Sequence, residues 1–287
     1  VVADDQIKAD QARDNARKFA DDASIIALVH PQGTRQTGEI MKAVKSLPII
    51  GPNTGATALH KSGANNVFWV RTNYDIEVDR LVRFADTLGL KRIALAYPND
   101  PFGLAVLDSF RAALARRGLE PIGLASTPNT ASMEVEAAAT QLAKMPAQVL
   151  IMSLAGTMPA LHKAYRKAGG AAVCLGLSVS GSASNITQLA QSHSKPIFSV
   201  IVPAPNARRH ALVRRYQHDM QVSGFDGKSL LSLEGYVDAA VLVEGLRRAG
   251  PKADRESLIA GLEGLSELDL GGVRLRYGRG NREGNTY

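Results

Sequence analysis

The feature that most limits what this chain can fold into is a repeated change of hydrophobic period. Apolar runs of strand length stand at Ile25–Val29, Leu47–Ile50, Val67–Val70, Arg92–Tyr97, Glu120–Leu124, Gln148–Met152, Ala172–Gly176 and Ile197–Val202. Between them lie stretches with helical spacing. In "DIEVDRLVRFADTLG" the apolar positions Val78, Leu81, Val82, Ala85 and Leu88 fall on one helix face, and Gly89 is placed to end it. "FGLAVLDSFRAALARRG" repeats the design and stops at Gly118. Near-continuous apolar strands joined by helices must be covered on both faces, which predicts α/β architecture with parallel sheets.

The alternation breaks once. From Ala207 to about Leu262 the pattern is helical, in three segments separated by "GFDGK" and "AGPKA", and "GGVRLRYGRGN" then reads as extended. Strands, a helical return and a late strand predict two α/β lobes with the chain crossing between them more than once. A length of 287 residues suffices for two modest lobes. No apolar run approaches the ~20 residues that span a bilayer.

The charge balance is 34 − 27 = +7, but the basic residues are scattered on helix faces beside Asp and Glu, as in "QARDNARKFADD". The densest cluster, "RRHALVRRYQ", holds a single Tyr and lacks interleaved aromatics for base stacking, so nucleic acid is not an expected partner. The one cysteine, Cys174, sits in the apolar run "AAVCLGL" and reads as a buried thiol. The six His, at 30, 60, 162, 193, 210 and 218, show neither H-E-x-x-H spacing nor a Cys/His cluster, and no metal or cofactor is expected. His162, His210 and His218 read as solvated helix residues, whereas His30 follows Val29 at a strand end. "GLSVSGSAS" approaches a G-x-S-x-G nucleophile elbow, but Ser180 occupies the position of the second Gly, and an enzyme is not expected. "GRGNREG" opens no helix, so it lacks the dipole that holds a phosphate.

What remains is a set of strand-to-helix loops rich in Gly and Thr: "VHPQGTRQTGEI", "GPNTGATALH", "YPNDPFGLAV" and "SLAGTMPAL". In an open parallel sheet these loops share the carboxyl edge, where ligands bind. Small residues there let a ligand approach the backbone, and helix starts offer unpaired N–H groups. Thr54-Gly55-Ala56 is expected to be an anion-receiving helix start, with Thr34 beside it.

At these residues the chain resembles the type I periplasmic binding proteins, specifically the branched-chain amino-acid receptor family of ABC-transporter solute-binding proteins. The resemblance runs in order through "DDASIIALVHPQGT", "PIIGPNTGATAL", "NNVFWVRTNYDIE", "RIALAYPNDPFG", "VIVPAPN", "SLEGYVDAAVLVEGLRRAG" and "GGVRLRYGRGNREGNTY". It implies two Rossmann-like lobes joined by three hinge crossings, near Arg71–Tyr74, Val202–Asn206 and Leu270–Val273, with solute bound in the cleft. Lobe one would comprise 1–73 and 206–269, and lobe two 74–205 and 270–287. Family members begin with a strand and helix that precede Val1.

The resemblance further implies a periplasmic, non-enzymatic monomer that hands a small organic solute to an ABC permease and meets the membrane only there. A ligand-sensing receptor of the same fold is the alternative. Carried over by motif, the ligand residues are Gly33, Thr34, Thr54 and Gly55 in lobe one. Phe102, Ala155, Gly156 and Thr157 follow in lobe two, with Tyr74 at the hinge. Glu234 and Tyr236 are candidates from "SLEGYVDA". Where amino-acid receptors carry an acidic residue for the α-ammonium, this chain has Ser178, and the second aromatic, in the "SLAGT" loop, is missing. Free leucine is therefore expected to bind poorly, and the pocket to have room for a bulkier ligand.

Overall fold

The computed structural model describes residues 1–192 and 195–284. In chain order it runs α1 (Ala9–Asp21), β1 (Leu28–Val29), α2 (Thr34–Ala43), β2 (Ile49–Ile50), α3 (Thr57–His60), β3 (Val67–Phe68) and α4 (Tyr74–Thr87). Next come β4 (Ile93–Pro98), α5 (Pro101–Ala115), β5 (Gly123–Thr127), α6 (Glu136–Ala143), β6 (Val149–Met152) and α7 (Met158–Lys167). The chain continues through β7 (Val173–Gly176), α8 (Ala183–Gln191), β8 (Ile197–Phe198) and α9 (Ala211–Val222). It closes with α10 (Leu230–Ala249), α11 (Arg255–Glu263), β9 (Leu268–Asp269) and β10 (Arg274–Leu275). No helix among the described residues is long and apolar enough to cross a membrane.

The chain divides into two compact units. Unit 1 is Val1–Thr72, Ile201–Lys228 and Ser232–Tyr287; unit 2 is Asn73–Val200 and Ser229–Leu231. The sequence reading put 270–287 in the second lobe, whereas this division puts the segment in unit 1. The cause is backbone pairing: the Trp69 N–H donates to the Arg282 carbonyl and the Gly284 N–H to the Trp69 carbonyl, each within 2.9 Å. The chain thus passes between units after Thr72 and after Val200, with a short excursion at Ser229–Leu231, rather than at Leu270–Val273.

Unit 1 holds a parallel three-stranded sheet in the order β1-β2-β3. Its ladder runs one residue past the strands, because the His30 N–H reaches the Ile50 carbonyl and the Gly51 N–H reaches the Phe68 carbonyl, both at 2.9 Å. Ala12 and Ala16 of α1 pack with Ile40 and Met41 of α2 over Ile49, Val67 and Trp69. Strands β9 and β10 pair antiparallel.

Unit 2 is a parallel five-stranded sheet, β5-β4-β6-β7-β8. The chain leaves β4 to one side and returns to the other, so the topological switch point lies between β4 and β6. The strand cores Ile93–Ala96 and Leu150–Met152 have no exposed surface. Helix α4 forms where the apolar spacing predicts it, with the Asn73 side chain capping Ile76 N–H at its start. Gly89 and Gly118, with φ of +72° and +64°, adopt the left-handed conformation just beyond α4 and α5 that side-chain-bearing residues avoid.

Candidate ligand-binding edges

In unit 1 the loops after β1 and β2 are stitched together. The Asn53 N–H donates to the Pro31 carbonyl at 2.8 Å and the Gly33 N–H to the Asn53 carbonyl at 3.3 Å. Gly33, at φ +89°, is the N-cap of α2 and supplies no side-chain cap, so the first amides of this ten-residue helix remain unpaired within it. Thr34 begins the helix, and its Oγ1 lies 2.7 Å from Thr54 Oγ1. Thr54 is wholly buried, and its Oγ1 also accepts the Ala56 N–H at 3.3 Å. Two hydroxyls joined by one hydrogen bond use one of their two protons, so the pair retains one proton for an outside acceptor.

The expectation that Thr54-Gly55-Ala56 opens an anion-receiving helix needs correction. Helix α3 is a single turn, Thr57–His60, capped by Ala56 with no side-chain bond, and so short a helix carries little dipole. The loop is instead held by His60, whose ring stacks on Trp69 with centroids 3.8 Å apart. His60 Nε2–H donates to the Thr54 carbonyl at 3.2 Å, and Nδ1 lies 2.9 Å from the Glu283 carboxylate. Gly55 stands in this loop, between Thr54 and Ala56.

Beneath this edge lies a buried polar cluster that the sequence reading only touched. His30 takes a left-handed conformation, φ +55°, and its Nδ1 lies 2.6 Å from Asp238 Oδ2. Asp238, on α10, has no exposed surface, and its Oδ1 has no hydrogen-bond partner. Burial pushes its carboxyl well above the usual carboxylate range, opposed by Arg71. Burial pushes the His30 imidazole down; Glu234 pulls it up and Arg71 pushes it further down. Glu234 is 2% exposed and lies 3.5 Å from Arg71 Nη1, an ion pair inside unit 1 rather than a surface group. Tyr236 donates its hydroxyl to Asp219 and sets its ring edge-on to Tyr216, so it packs α10 against α9.

In unit 2, Tyr74 and Phe102 come together, their rings 5.5 Å apart and both buried. The helix start after β4 is closed by its own cap: Asp100 Oδ1 accepts the Phe102 and Gly103 N–H groups, and its Oδ2 accepts Thr130. Ala155, Gly156 and Thr157 lie between β6 and α7, whose N-cap Thr157 makes no side-chain capping bond. Ser178 follows β7 in a short 3-10 turn, Ser178–Ser180. Its N–H donates to Glu77 Oε1 at 2.6 Å, and the Ser199 hydroxyl donates to the same oxygen at 2.5 Å. Glu77 is therefore an acidic group beside Ser178, supplied by α4 and engaged by the protein's own donors. Ser180, at the position of the second Gly, gives its proton to the Leu154 carbonyl.

Several buried polar atoms in each unit lack a partner. Asn53 Nδ2 and Thr57 Oγ1 follow β2, and Thr37 Oγ1 lies in the first turns of α2. Thr127 Oγ1 ends β5, Ser153 Oγ follows β6 and Thr157 Oγ1 caps α7. All lie at or just beyond the carboxyl edges of the two sheets. A groove of about 500 Å³ in unit 2 is lined by Asn99, Ser126, Thr127, Pro128, Glu134, Glu136 and Ala137, and so includes one residue of that set. None of the ligand residues expected from the sequence lines it.

Cys174 is buried, and burial raises its thiol to about 11. His162 is not a solvated residue: it is 3% exposed on the inner face of α7, and burial lowers its pKa. His193 lies outside the described residues. Among the described residues, no group of three or more His, Cys, Asp or Glu could hold a metal.

The family model described as "periplasmic binding protein" matches residues 1–286. The chain belongs to that family. It is similar to a substrate-binding periplasmic protein from Ralstonia solanacearum, at 28% identity and TM-score 0.90 over 99% of this chain and 82% of that one. A fatty acid ABC transporter substrate-binding protein from Thermomonospora curvata matches at 18% identity and TM-score 0.84, covering 98% and 77%. A branched-chain amino-acid ABC transporter structure from Thermus thermophilus with bound valine matches at 16% identity and TM-score 0.85, covering 99% and 79%. No curated protein matched the chain. The periplasmic-binding-protein fold is the one the resemblance implies, and its parallel α/β sheets are what the sequence pattern predicts.

Proposed function

We propose that this protein is the extracytoplasmic solute-binding component of an ABC importer and that its solute is a small organic molecule bearing a carboxylate or amide. The observation that carries this reading is the placement of unpartnered buried polar atoms. Buried hydroxyls and amides almost always find partners. Here Thr37, Asn53, Thr57, Thr127, Ser153 and Thr157 leave theirs unmet at the sheet edges where open α/β sheets bind ligands. In this reading Gly33, Thr34, Thr54 and Gly55 hold the polar end of the solute. Tyr74, Phe102, Ala155, Gly156 and Ser178 are the solute-binding candidates of unit 2, while Glu234 acts through Arg71 rather than by touching solute.

Discrimination follows from the same atoms. A buried donor left without its acceptor costs about 1–3 kcal/mol, so a solute lacking the matching group is rejected. Glu77 is already engaged by Ser178 and Ser199, which supports a solute without an α-ammonium and weak binding of free leucine. A thermal-shift screen over amino acids, aliphatic and aromatic acids, dicarboxylates and amides tests the proposal. The expected result is a rise in melting temperature with at least one acid or amide. No rise with any compound contradicts it.

A further inference from the structure

We infer that His30, held by Asp238, is a specificity-determining donor that makes this edge of unit 1 select a carboxylate over the corresponding amide. This deepens the proposed function and rests on it. The ring is fixed at both ends: its backbone is locked in the left-handed conformation by the ladder bond to Ile50, and its Nδ1 abuts Asp238 Oδ2 at 2.6 Å. Gly51 makes room for that contact, since a side chain there would overlap the Asp238 carboxyl group. Nδ1 faces a group with no exposed surface, so the accessible fifth of the His30 side chain (19%) lies away from it. Among the described residues, nothing hydrogen-bonds to Nε2.

The proton inventory then decides what Nε2 does. At 2.6 Å one proton lies between Nδ1 and Oδ2. Asp238 Oδ1 is fully buried without a partner, a position that tolerates the carbonyl oxygen of a neutral carboxyl group and strongly disfavours a carboxylate. A neutral Asp238 donates to Nδ1, and the imidazole hydrogen must then reside on Nε2. The directions in which burial moves both groups agree with this neutral pair. The charged groups around the pair are Arg71, which follows β3, and Glu234 on α10; Tyr277, near β10, is coupled to Asp238.

Three further groups at this edge also donate. Asn53 Nδ2 is a buried donor without an acceptor, the Thr34–Thr54 pair retains one hydroxyl proton, and the first amides of α2 are unpaired. These donors fit a carboxylate, whose oxygens only accept, better than an amide, whose NH₂ would meet the donors Nε2–H and Asn53 Nδ2.

The test uses matched pairs, isovalerate with isovaleramide and benzoate with benzamide, titrated calorimetrically into the full chain. An acid is expected to bind and its amide to bind at least about tenfold more weakly, the effect of one buried unmatched donor. His30→Ala is expected to erase that preference. Asp238→Asn, whose side-chain NH₂ can still donate to Nδ1, is expected to keep it. Nitrogen NMR of the ligand-free protein at neutral pH is expected to show the hydrogen on Nε2. A bare Nε2, equal binding of acid and amide, or an unchanged preference in His30→Ala overturns the inference and leaves solute binding standing. If compounds of other classes bind and neither acid does, the inference fails alone; if nothing binds in the wider screen, the function fails with it.

Discussion

An added methyl at Gly51 would sit 2.0 Å from the carboxyl carbon of Asp238. The closeness joins two distant parts of the chain: Gly51 continues β2 at φ +61°, and Asp238 lies within α10. Both a left-handed backbone and an absent side chain are therefore required at residue 51.

Gly51→Ala is expected to lower stability by about 3 kcal/mol, the sum of left-handed backbone strain and overpacking. Chemical denaturation monitored by Trp69 fluorescence measures it, since Trp69 is buried in the core of unit 1.

Glu234→Gln is expected to cost about 3 kcal/mol, because it strips one partner from a buried ion pair and leaves the Arg71 charge less compensated. The loss is expected in the ligand-free protein. A variant that melts like the parent and binds solute poorly would instead place Glu234 in direct contact with solute.

Asp79 in unit 2 accepts hydrogen bonds from Arg116 and Arg117, and these hold its carboxyl down at about 2 from the ordinary 3.8. A depressed folded-state pKa means that the stabilisation is complete above about pH 4 and disappears as pH falls through about 2. With part of the group exposed to screening, the contribution is about 1 kcal/mol. Asp79→Asn is expected to melt below the parent at neutral pH and to converge with it near the acid end of a melting-temperature titration.

The legible parts of the fold are those whose signals are local. Helices α4 and α5 announce themselves through apolar spacing, the caps Asn73 and Asp100, and Gly89 and Gly118 beyond their ends. Strands β4 and β6 are near-continuously apolar because both faces are covered. Strand β9 (Leu268–Asp269) escaped notice because two residues in "SELDL" carry no period. Helix α3 stops after one turn, followed by Lys61–Gly63, which the sequence pattern around Thr54-Gly55-Ala56 does not announce.

Site legibility follows the same division. The Gly/Thr loops are visible in the sequence, and Thr34 and Thr54 do meet. Asp238 and Glu77 were not visible as buried acids: an acidic residue on an amphipathic helix looks solvent-facing until the fold turns that face inward. His30, noted for its place at a strand end, was the available signal, but its partner lies 208 residues away.

Thr34 and Thr54 supply the most direct test of the central claim, that their edge of unit 1 grips a carboxylate. Calorimetric titration of isovalerate and benzoate into the parent, Thr34→Val, Thr54→Val and the double variant measures it, valine keeping the shape and removing the hydroxyl. The account predicts that the double change weakens binding by about tenfold and that each single change costs less, because either hydroxyl left alone still keeps one free proton. Affinity unchanged in the double variant would contradict it.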